Sequence, residues 1–140
     1  MIPTRHRQML LSILDLEHVT VNDIMIPRQE IAAINADDNW EDILDQLRQT
    51  PHTRLPLFAG DLDNLVGIVH MKRVAQELAR DTLTRERLIE LARVREPYFV
   101  PEGTSLTMQL NQFQRNRRRL GFVVDDYGDI QGFVTLEDIL

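Results

Sequence analysis

Nine residues of the chain, Gly132-Phe133-Val134-Thr135-Leu136-Glu137-Asp138-Ile139-Leu140, carry its sharpest chemical signal. A β-rich run meets a threonine, and an acidic turn follows. Thr-x-x-Asp at a helix start has two readings. In one, Thr135 is an N-cap, Asp138 stands at the third helical position as in a capping box, and Glu137 and Asp138 suit the positive end of the helix dipole. In the other, the helix start offers N–H groups to a phosphate, the Thr135 hydroxyl adds a bond, and Asp138 accepts both hydroxyls of a ribose through its two oxygens. The readings are compatible, because a capping threonine can still touch a ligand. Glu137, lying between them, is expected to face solvent.

Other candidates carry less. The run Arg115-Asn116-Arg117-Arg118-Arg119 is the strongest local charge feature. It reads as a solvated helix end, with Arg119 placed to face a phosphate. A nucleic-acid surface would need a wide basic patch and aromatic platforms, and the net charge of −6 opposes it. Neither Ser12 nor Ser105 lies in a nucleophile motif. His6, His18, His52 and His70 lack metal-ligand spacing. Asp125-Asp126-Tyr127-Gly128-Asp129 lacks the ligand alternation of a calcium loop and reads as a hairpin turn. No catalytic residue and no metal site is therefore expected, and the chain is read as a non-enzyme.

The elements that must position Thr135 and Asp138 occur twice. Adding 65 to Arg54-Leu55-Pro56-Leu57-Phe58 gives Arg119-Leu120-Gly121-Phe122-Val123, and Gly67 falls on Gly132. Upstream the offset is 66, taking Ile34 to Val100, Trp40 to Leu106 and Leu47 to Phe113. Each copy reads as a short extended segment, a helix with apolar residues at 3–4 spacing, two strands joined by a polar turn, and a second helix: β-α-β-β-α. Expected helix caps are Asp38 or Asn39 in the first copy and Thr104 in the second. Expected strand pairs are 55–59 with 66–69 around Gly-Asp-Leu-Asp-Asn, and 120–124 with 130–134. Second helices are expected from Met71 and Thr135. The partition is an amino-terminal helix over 1–19, repeat one over 20–83 and repeat two over 84–140, with 83–94 as a helical linker. A helix breaking off at its first turn is what an excised fragment would show. The fold class is α/β of the α+β type.

Bulk composition agrees with a globular chain. The 140 residues are 43% hydrophobic and 27% charged, enough for one ordinary domain or two small ones. Without cysteine, disulfides and thiolate metal sites are excluded. No apolar run approaches the roughly 18–20 residues of a membrane span.

A tandem β-α-β-β-α repeat with Gly132-Phe133-Val134-Thr135-Leu136-Glu137-Asp138 in its second copy resembles the CBS domain pair. The stretches 9–28, 91–103 and 121–140 are similar to the CBS pair of the CorC/HlyC-type magnesium and cobalt transport proteins. The resemblance implies a pseudo-twofold pair binding an adenine nucleotide, ATP (with Mg²⁺) or AMP, in a cleft between repeats. It also implies that Thr20 and Val21 approach Thr135 and Asp138, with Val21 and Met25 lining the adenine; their plainer reading is core. Partners implied are a second copy, as a homodimer, and the membrane domain of a parent protein, at the cytoplasmic face of the inner membrane. Repeat one departs from the motif: His70 stands for the threonine and Arg73 for the aspartate. Arginine has no acceptor for ribose, so one nucleotide site is expected. The rival expectation is a structural dimerisation module that binds no nucleotide.

Overall fold

The computed structural model describes residues 18–140. The helix expected over 1–19 lies outside them except for His18 and Val19, neither of which is helical. The chain divides into two compact units, one formed by the segment up to Ile31 together with Tyr98–Leu140, the other by Ala32–Pro97. These boundaries differ from the repeat boundaries of the sequence, because the segment before each copy packs on strands other than those that follow it.

In the Ala32–Pro97 unit, β2 (Ile34–Asn35), β3 (Arg54–Ala59) and β4 (Asp61–His70) form a sheet in the order β2-β3-β4. The first pair is parallel and the second antiparallel. Helix α2 (Trp40–Gln49) buries Ile43 and Leu47, as its 3–4 spacing requires. Asn39 caps it, its side-chain oxygen accepting from Glu41 N–H at 2.9 Å. The polar turn expected at 60–64 is instead mostly strand. Gly60 reverses the chain at once with φ of +80°. Asn64 then donates its side-chain amide to the Ala59 carbonyl at 3.0 Å, where the strand pairing shifts register.

Helix α3 (Met71–Ala79) follows β4, and α4 (Arg85–Ala92) lies on the sheet. The 83–94 stretch therefore supplies core side chains to this unit and is more than a connection. Leu88, Leu91 and Ala92 are buried with Leu55, Leu57 and Val69. Gly67 explains how the helix comes so close: a Cβ there would sit 1.9 Å from the Ala92 carbonyl oxygen. Helices α3 and α4 are also tied by an ion pair between Glu77 and Arg87, to which the Thr82 hydroxyl adds a bond.

In the other unit, β1 (Ile26–Pro27), β5 (Phe99–Pro101), β6 (Leu120–Val124) and β7 (Ile130–Thr135) order as β1-β7-β6-β5. Its core joins Val21, Val100, Leu106, Phe113, Val123 and Val134. Helix α5 (Leu106–Asn116) is capped by Ser105, whose hydroxyl oxygen accepts from Met108 N–H at 3.2 Å. The expected cap, Thr104, lies one residue too early and donates its hydroxyl to the Pro101 carbonyl instead. The helix ends in left-handed Arg117, φ 54°. Asp125 closes the β6–β7 turn, one carboxylate oxygen accepting from the N–H groups of Tyr127 and Asp129 at 2.9 Å each. The result is a mixed α+β chain in which β-α-β-β-α occurs twice.

Candidate functional site

Strand β7 delivers Thr135 to the start of α6 (Leu136–Ile139). The helix begins there because Thr135 is still extended, φ −118° and ψ 154°, while its hydroxyl oxygen accepts from Asp138 N–H at 3.2 Å. The Leu136 N–H bonds the Arg119 carbonyl at 2.7 Å, pinning the helix start to the beginning of β6. Leu136 and Ile139 pack against the core cluster containing Val21 and Val134. Asp138 points the other way and is exposed. Its carboxylate makes no hydrogen bond or ion pair among the described residues. The capping box expected from the spacing is thus half formed: the hydroxyl caps and the carboxylate stays available.

The chain holds a second Thr-x-x-Asp, Thr20-Val21-Asn22-Asp23, which the same spacing rule could have found. It starts α1 (Val21–Ile24), where the box closes. The Asp23 carboxylate accepts from Thr20 N–H at 2.9 Å and from the Thr20 hydroxyl at 3.5 Å. Asp23 N–H in turn donates to the Thr20 carbonyl at 3.0 Å. Both backbone groups of Thr20 are therefore engaged within their own turn.

Val21 is 0% exposed, and its N–H donates to the Thr104 carbonyl at 2.9 Å. It is core and offers no open surface. Met25 lies over Gly132: a Cβ there would sit 2.4 Å from the Met25 sulfur and 2.7 Å from the Ile26 carbonyl oxygen. This glycine lets β1 pass close to β7, which joins the 20–27 segment to the unit that carries Thr135. Arg119 is exposed and pairs with Glu137, Nη1 to Oε1 at 3.1 Å. Glu137 faces solvent as its place in the turn requires, and its role as partner of Arg119 was not legible from spacing.

The matching place in the first copy is built otherwise. His70 caps α3, its Nδ1 accepting from Lys72 N–H at 3.2 Å. Burial, and then the charges of Arg54, Lys72 and Arg73, hold its pKa below the ordinary histidine value. A capping Nδ1 must be unprotonated, so the geometry and the charge environment agree. Arg73, at the aspartate's place, is exposed.

Comparison with known proteins fits this arrangement. The CBS domain profile matches residues 21–80 and 90–140. A crystal structure of a CBS-domain pair with bound AMP from Klebsiella pneumoniae has a TM-score of 0.81 and 45% identity, covering 86% of this chain and 94% of that one. The CBS domain of a bacterial CNNM/CorC family Mg²⁺ transporter in complex with ATP has a TM-score of 0.73 and 33% identity, covering 96% and 94%. A magnesium and cobalt efflux protein, CorC, of Pasteurella multocida is 32% identical over 140 residues, which is 100% of this chain and 46% of that protein. The chain belongs to the CBS domain family, as a tandem pair of the type found in CorC and hemolysin C homologues. It spans between about a third and just under half of the length of the curated relatives it matches, among them an inner membrane protein of Escherichia coli. No helix among the described residues is long and apolar enough to cross a membrane.

Proposed function

We propose that this CBS pair is a regulatory adenine-nucleotide-binding module of a magnesium and cobalt transport protein, acting at the cytoplasmic face of the inner membrane. Thr135 and Asp138 are the anchoring residues. The carboxylate of Asp138 takes the ribose hydroxyls, and the Thr135 hydroxyl reaches a phosphate while still capping α6. Arg119 exchanges Glu137 for the phosphates. Thr20 and Met25 flank the base, and Val21 backs the site from the core. Magnesium arrives on the polyphosphate of ATP, since that cation keeps several waters and is commonly shared with phosphate oxygens.

The observation that carries this reading is the unbonded Asp138 carboxylate one turn beyond a capping threonine. It sits in a fold whose solved relatives include one with AMP and one with ATP. Binding regulates only if the nucleotide prefers one of two states, and those states belong to the membrane-bound parent and to a homodimer of the module. A thermal-shift series with ATP, ADP and AMP, with and without Mg²⁺, tests it. At a ligand concentration of a hundred Kd the stabilisation is about 2.7 kcal/mol, which reads as several degrees. No shift with any of the three supports instead a structural dimerisation module. Analytical ultracentrifugation with and without ATP tests the dimer, and a monomer at high micromolar concentration in both conditions removes it.

A further inference from the structure

The two copies differ at a place remote from the Thr-x-x-Asp question. In the Tyr98–Leu140 part of the second copy, the Tyr98 ring packs on Phe113 with centroids 5.8 Å apart. Its hydroxyl oxygen accepts from the side-chain amides of Gln109 and Asn116, each at 3.4 Å. Gln112 holds Asn116 in place, its Oε1 accepting from Asn116 Nδ2 at 3.2 Å.

Moved back by the upstream offset, Tyr98 falls on Ala32, Gln112 on Gln46 and Asn116 on Thr50. In the Ala32–Pro97 unit these residues line a cavity of about 240 Å³, with Ala33, Ile34 and Leu55 as its apolar walls. One copy has a phenol there; the other has an alanine, keeps a polar group at Thr50 in the place of Asn116, and has Ile43 and Leu47 in the places of Gln109 and Phe113. An enclosed apolar cavity of about 150 Å³ suffices for benzene; this pocket is larger and is open to solvent. The polar groups on this cavity's wall are of the kinds that a phenol uses. The Gln46 side chain has no partner among the described residues. Thr50 uses its hydroxyl oxygen to accept from His52 N–H at 3.2 Å, which leaves its hydroxyl proton to donate.

We propose that this cavity is a binding site for a small planar aromatic ring bearing a hydroxyl, a ligand of the phenol class, seated where Tyr98 sits in the other copy. The hydroxyl bonds Thr50 and Gln46, and the ring lies against Ala33, Ile34 and Leu55. The site is independent of the nucleotide reading, because it uses none of Thr135, Asp138 or Arg119.

The probe is p-cresol, the tyrosine side chain as a free molecule, titrated into the 140-residue chain and followed by amide chemical shifts. Toluene, which lacks the hydroxyl, is the control. Saturable shifts are expected at Ala33, Ile34, Thr50 and Leu55, with toluene about twentyfold weaker for want of two hydrogen bonds. Thr50→Val brings p-cresol down toward the toluene level, and Ala32→Tyr, which refills the cavity, removes both. Should Ala32→Tyr fail to fold, the Thr50→Val comparison still decides. Absence of saturable shifts at these amides, equal affinity for toluene and p-cresol, or unchanged binding in Thr50→Val overturns the proposal.

Discussion

Thr20-Val-Asn-Asp23 and Thr135-Leu-Glu-Asp138 have one spacing and two outcomes. At the first, the aspartate turns back onto the threonine N–H, and the box is complete. At the second, only the hydroxyl bond forms, and the carboxylate remains in solvent. Thr-x-x-Asp is thus a helix-start motif first, and it leaves a carboxylate available only where that carboxylate does not turn back onto its own cap. The first copy makes the same point from the other side. It keeps the cap with His70 and puts Arg73 where the carboxylate would be, so the helix start survives and the carboxylate does not.

The two copies are expected to differ most in stability at their matching glycines. Ile26 and Ala92 are separated by the upstream offset, and Gly132 and Gly67 by the downstream one. Each glycine receives the carbonyl of the matching segment. At Gly67 the obstacle is the backbone at 1.9 Å, whereas at Gly132 the nearest atom is a flexible thioether. Gly67→Ala is expected to cost about 3 kcal/mol, the upper part of the overpacking range, and Gly132→Ala less. Urea unfolding measures both. A Gly67→Ala variant no worse than Gly132→Ala contradicts the packing account.

The two boxes are separated by a smaller effect. Asp23→Ala removes the two bonds that one carboxylate oxygen accepts at a helix start and is expected to cost about 1 kcal/mol. Asp138→Ala is expected to cost at most a few tenths through the helix dipole. Equal losses would mean that Asp138 also closes a box in solution.

The smallest effect is a pH dependence. The folded-state pKa of His70 lies below its unfolded value, so the unfolded state binds more protons between the two. Its contribution to stability is present above the unfolded value, about 6.5, and is lost as pH falls through that value toward the folded one. His70→Asn keeps a side-chain cap without titrating there. The slope of stability between pH 7 and 5 is therefore expected to be shallower in His70→Asn, and an identical slope removes His70 as its source.

Much of this was legible in the sequence because it is local or periodic. The apolar spacing of Trp40, Ile43 and Leu47 fixed α2, and the strand-glycine-threonine order fixed the start of α6. Long-range contact was not legible. Nothing in Gly67 alone says that a helix beginning at Arg85 will lie on it, so 83–94 read as a linker. The turn at 60–64 was misplaced because one glycine reverses the chain where Gly-Asp-Leu-Asp-Asn promised a loop. The cap of α5 slipped from Thr104 to Ser105, since both residue types cap and only the position of the first helical residue decides. Val21 could serve core or ligand by type, and what type alone could not show is that it is buried with Val100 and Val134. Asp23 was readable by the spacing that marked Asp138; what could not be read was which carboxylate would stay free.

In the proposed function one copy binds the nucleotide and Asp138 holds it. Isothermal titration of the chain with ATP and Mg²⁺ tests this directly, alongside Asp138→Asn and Arg73→Asp. The expected result is one site per chain, unchanged in Arg73→Asp and weakened about ten- to hundredfold in Asp138→Asn, the loss of a charge-assisted acceptor. Two equivalent sites in the wild type, or full affinity in a folded Asp138→Asn, would contradict it.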